Sequence, residues 1–115
     1  MNLPDTPLFV KTHDLTLWLL LRTQRFPKNL RYSYTNRLES LAFELEEMLV
    51  MANQHRGRER IEWLRRADGR LVCLRTLMRY AYDLKLLGRS QIRFAVGQFD
   101  QIGRLLGAWL KGTDR

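Results

Sequence analysis

Arg75 and Arg79 stand four residues apart in the run Leu74-Arg75-Thr76-Leu77-Met78-Arg79. On a helix that spacing is one turn, with Arg65 farther along the same flank and Arg66 and Arg70 on the opposite one. Guanidinium groups placed this way can each offer two parallel N–H donors to a phosphate or carboxylate, a grip that lysine lacks. The neighbourhood is basic as a whole. Residues 56–89 carry ten Lys and Arg against four Asp and Glu, which leaves +6 of the chain's net +8 in that one stretch. Asp68, Asp83 and the acidic set Glu39, Glu44, Glu46 and Glu47 offer partners for some of these arginines. Fixed internal pairs cannot cancel the surplus. A second basic group lies in Phe26-Pro27-Lys28-Asn29-Leu30-Arg31, where Lys28 and Arg31 follow a proline corner. Lys28, Arg31, Arg65, Arg66, Arg70, Arg75 and Arg79 are therefore the candidate residues for a surface that meets an anionic partner.

Nothing in the chain suggests catalysis. His13 and His55 have no cysteine or carboxylate at a metal-binding spacing, there is no glycine-rich phosphate loop, and no Ser/His/Asp set occurs. The expectation is a protein with no catalytic residue, metal, cofactor or small-molecule substrate. An anionic membrane surface is the other partner that charge allows, but the most apolar stretch, Leu15 to Leu21, is far short of the roughly 20 residues that span a bilayer. The single cysteine, Cys73, sits between Val72 and Leu74 and reads as a small reduced hydrophobe. With an opening MNLPDTPLFV that has neither a positive start nor a small-residue cleavage site, this predicts a cytoplasmic location.

These side chains must be positioned by helices. Prolines occur only at 4, 7 and 27, and no alternating run bounded by turn residues supports a strand. The 115 residues suffice for one domain, 1–115, with helices over about 7–25, 34–54, 58–87 and 90–111. Thr6 and Pro7 suit the start of the first helix, and Pro27 stops it. The second, capped from Ser33 to Asn36, places Leu38, Leu41, Leu45, Met48 and Ala52 on one face. The third carries Leu64, Ala67, Leu71, Leu74, Met78 and Ala81 in unbroken phase across Asp68-Gly69, so it is read as one helix despite the glycine. Gly88 suits a left-handed cap at its end, and Ser90 an N-cap for the fourth. The fourth repeats the seam with Val96, Phe99, Gly103, Leu106 and Leu110, and Gly103 and Gly107 are expected to permit tight packing. Short connections predict an all-α, antiparallel up-down-up-down four-helix bundle. In the first helix, Leu15, Leu17, Trp18, Leu19, Leu20 and Leu21 encircle the axis. That is wider than one bundle face can bury, which predicts self-association through Leu17, Trp18 and Leu21.

The order F-P-x-x-x-R (Phe26 to Arg31), L-R-x-x-x-R (Leu74 to Arg79), D-L-K-L-L (Asp83 to Leu87) and I-G-R-L-L-G-A-W-L (Ile102 to Leu110) resembles the accessory variability determinant family. These are small four-helix bundle proteins encoded beside reverse transcriptases in diversity-generating retroelements, and the likeness extends from about Leu8 to Lys111. The resemblance implies a barrel-shaped homopentamer without catalytic activity. It implies binding to the element's reverse transcriptase and to RNA or DNA during mutagenic retrohoming, the error-prone copying that diversifies a target gene. It places Arg75, Arg79 and Arg31 on the partner surface, with Lys28 added from charge alone. Ile102, Gly103, Leu106, Gly107 and Trp109 match a motif that reads as packing. Four-helix bundle proteins of ribosomal-RNA intervening sequences are similar too, and they leave open a structural protein-protein interaction module.

Overall fold

Pro7 occupies the first helical position of α1 (Pro7–Thr23), where its missing N–H is no loss, and the Thr6 carbonyl accepts the Val10 N–H at 2.9 Å. The computed structural model describes residues 6–114. Three further helices follow, α2 (Asn36–Gln54), α3 (Gly57–Asp83) and α4 (Arg89–Thr113), and no strand occurs among the described residues. At 1.5 Å per residue, the 27 residues of α3 span about 40 Å, close to the molecule's 44 Å long dimension. Each helix packs on its sequence neighbours, and α1 closes the bundle against α4.

One core runs through all four helices. The buried residues of α3 are Leu64, Ala67, Leu71, Leu74, Met78 and Ala81, and the helix continues through Gly69 without a break. The hydrophobic pattern sets the phase there, and one interior glycine costs too little to interrupt it. In α4 the buried face is Ala95, Phe99, Ile102 and Leu106. Val96 and Gly103, expected in the seam, therefore lie one residue off the buried face. Gly103 borders α3, where an added methyl would stand 3.6 Å from Leu71 Cδ2, but Gly107 is exposed and faces open space. Only the first glycine of the pair borders another helix, and it does so at ordinary contact distance. Cys73 and Val72 are also exposed, because they fall on the side of α3 opposite its seam.

The first helix is arranged differently from its leucine pattern. Its core face is Leu8, Phe9, Thr12, Leu15, Thr16 and Leu19, while Leu17 and Leu21 stay half exposed. Threonine is tolerated inside because its hydroxyl donates back to the preceding turn: Thr12 to the Leu8 carbonyl at 2.8 Å, Thr16 to that of Thr12 at 2.9 Å.

Two boundaries depart from expectation for identifiable reasons. The segment after Pro27 is not a loop. A tight 3-10 turn (Lys28–Leu30) and a widened π turn (Arg31–Thr35) lead straight into α2, with Thr35 already helical, so Ser33 to Asn36 supply no cap. The third helix ends at Asp83, four residues before the expected position. Lys85 takes the left-handed conformation (φ 61°), its N–H bonds the Tyr82 carbonyl at 3.0 Å, and the Leu86 N–H bonds Ala81 at 2.8 Å. This bond pair is the Schellman termination, placed on a lysine rather than on Gly88. Gly88 instead precedes α4 in extended conformation, where the Gln91 side chain accepts its N–H at 2.9 Å.

Candidate nucleic-acid interface

Phe26 turns inward from the Pro27 corner and stacks nearly parallel on Tyr34, with ring centroids 6.4 Å apart. Tyr34 meets Tyr80 edge to face and donates its hydroxyl to the Leu77 carbonyl at 2.8 Å. These contacts fasten the end of α1 and the corner to the last turns of α3. On the other side of the corner, Leu21, Arg22, Gln24 and Arg25 face Leu86, Leu87 and Gln91 across a cleft of about 670 Å³. The end of α1, the corner, the end of α3 and the start of α4 thus meet at one end of the bundle.

That end gathers almost the whole charge surplus. Residues 22–35 and 79–93 together hold eight basic side chains and one acidic side chain, Asp83. The eight are Arg22, Arg25, Lys28, Arg31, Arg79, Lys85, Arg89 and Arg93, and among the described residues none of them is in an ion pair. All are exposed except Arg22, which is half-buried with its guanidinium 5.1 Å over the Trp18 ring. Like charges held this close repel one another, so their convergence lowers stability unless an anion is bound.

The residues singled out in the sequence divide accordingly. Lys28, Arg31 and Arg79 belong to the basic end. Arg75 borders it, sharing a shallow groove with Arg79, Tyr82 and Ile92, but its guanidinium is tied to Asp100 on α4 at 2.5 Å. Arg70 faces the other way and pairs with Glu44 of α2 at 2.8 Å, where Arg37 also reaches the carboxylate at 3.6 Å. Arg65 and Arg66 are exposed farther along α3, with Arg66 lying 4.7 Å over the Trp63 ring. Arg60 is a structural arginine: its Nε donates to the Ala52 carbonyl at the end of α2 and its guanidinium covers Trp109. Of the apolar set, Leu17 and Leu21 are each 49% exposed, while Trp18 packs against Phe94 within the chain, centroids 5.1 Å apart.

The candidate set read from the sequence left out Arg22, Arg25 and Arg93, and also Lys85 and Arg89, although these two fall in the basic stretch 56–89. The signal was present in the first and third connections, which the structure brings to one end. Both connections here are basic. Also passed over was Tyr32, 88% exposed beside Arg31.

A four-helix bundle with its positive charge concentrated at one end, no group of three or more potential metal ligands among its described residues, and no helix there long and apolar enough to cross a membrane defines a class of small basic helical proteins. Within that class the chain belongs to the bAvd-like family, whose pattern it matches over residues 8–113. No curated protein matches the sequence.

Proposed function

We propose that the protein is a non-catalytic accessory factor of a diversity-generating retroelement. In this reading it binds the element's reverse transcriptase and the template RNA or DNA, and so supports mutagenic retrohoming in the cytoplasm. The observation that carries this is the basic end: eight cationic side chains without ion-pair partners among the described residues, in a chain of the bAvd-like family. A surface of this kind attracts a polyanion largely irrespective of sequence, through phosphate contacts and counterion release. Lys28, Arg31 and Arg79 are the principal contacts, Arg75 borders them, and Arg65, Arg66 and Arg70 extend the positive field along α3.

The bundle is a single antiparallel up-down-up-down domain. This is supported by contacts between opposite helix ends: Phe9 with Trp109, Trp18 with Phe94, and Arg60 with Ala52. Bundles associate into a homopentamer through the face of α1 that carries Val10, Leu17 and Leu21, apolar groups with 39% to 49% exposure.

Light scattering on the purified protein, alone and then with a structured RNA and with the reverse transcriptase, tests the reading. A discrete oligomer that gains mass with both partners is expected. A monomer indifferent to both would overturn it.

A further inference from the structure

Tyr32 has no folding role that accounts for it. It lies on the widened turn Arg31–Thr35, whose inner residues Tyr34 and Thr35 are buried while Tyr32 is 88% exposed. A tyrosine ring held in water by an ordered helical segment gains nothing from the core. Exposed Lys28 and Arg31 precede it on the same corner, and neither is in an ion pair among the described residues. At the same end, Arg22 and Arg25 line the 670 Å³ cleft together with Gln24, Gln91, Leu86 and Leu87. That volume lies within the range of about 300–1,000 Å³ that holds a small ligand.

We propose that the basic end takes single-stranded rather than duplex nucleic acid, with the Tyr32 ring stacking an unpaired base and the Arg22–Arg25 cleft receiving phosphate and sugar of the same strand. Electrostatics alone would not favour the single strand, because a duplex presents phosphates at higher density. The aromatic ring does. Every unpaired base offers a π-face, whereas the bases of a duplex are already stacked and closed to a side chain. Charge complementarity selects a polyanion, and the exposed ring among cations selects its unpaired form. This inference rests on the reading of the same end as a nucleic-acid surface.

The test is fluorescence anisotropy of the full chain with a labelled RNA of about 12 nucleotides, within the span of small single-strand binders, against a blunt duplex of equal length. Tyr32→Ala and Tyr32→Phe leave the charge unchanged, as does the double variant Arg22→Lys with Arg25→Lys. Tyr32→Ala should weaken single-strand binding about fivefold or more, Tyr32→Phe should restore it, and duplex binding should barely move. The lysine pair should weaken single-strand binding about threefold through loss of the guanidinium forks. Equal effects on both nucleic acids, or no effect of Tyr32→Ala on either, would overturn the inference. So would a Tyr32→Ala variant that loses the reverse transcriptase yet keeps RNA, since the ring would then belong to a protein contact. All three outcomes leave the accessory-factor reading intact. That reading falls only if the wild-type chain binds neither nucleic acid nor the polymerase.

Discussion

The Phe26 and Tyr34 rings lie 8° from parallel with Pro27 between them in sequence, so the corner that carries Lys28 and Arg31 is fixed to the core from both sides. Phe26→Ala removes a ring that is 7% exposed and should cost about 3 kcal/mol, read as a lower urea midpoint. Because the corner also presents the basic end, RNA affinity should fall at temperatures where the variant is still folded. A destabilised variant with unchanged RNA binding would show that the corner's geometry is irrelevant to the surface.

Tyr34 gives the fold a dependence on alkaline pH. Burial pushes its hydroxyl up from 10.0 to about 12, since an ionised phenolate would lose its water; the backbone at Ala81 acts the other way and more weakly. The native state therefore holds the proton more tightly than the unfolded chain does. Its contribution is fully present below pH 10 and declines as pH rises towards 12. Denaturant titrations across that window should show Tyr34→Phe losing less stability than wild type, whereas parallel declines would contradict the assignment.

The hydroxyl of Thr35 is buried and has no hydrogen-bond partner among the described residues. Thr35→Val keeps the branched shape, removes the orphaned group, and should raise stability by about 1 kcal/mol. A fall in stability would mean that the oxygen is satisfied by a bound water.

Gly69 lies within α3 at an ordinary helical position, and a methyl group there meets nothing within 4 Å. Gly69→Ala should stabilise the fold by about 0.5–1 kcal/mol. Hydrogen exchange at neighbouring amides should slow. Loss of stability would show that the helix breaks at Asp68-Gly69 after all.

The α3 seam could be read from the sequence because its six apolar residues keep phase with a helix for five turns, and no other element satisfies that period. The inside of α1 could not, since Thr12 and Thr16 enter the core by hydrogen-bonding their own helix, a compensation that hydropathy does not register. The end of α3 was missed because Lys85 takes a conformation more often left to glycine. For the site, counting charge by sequence segment emphasised α3, although two of its arginines are spent on Glu44 and Asp100. The surplus instead collects where two basic connections meet in space.

The most direct test of that basic end compares two variants with equal charge removed. One replaces Lys28, Arg31 and Arg79 with glutamine at the basic end; the other replaces Arg58, Arg104 and Lys111, exposed residues toward the opposite end. RNA affinity is measured over a range of salt. The first variant should bind at least about tenfold more weakly, with a shallower salt dependence, and the second should stay near wild type. Equal losses would contradict the account, because they would mean that net charge, and not its gathering at one end, draws the partner.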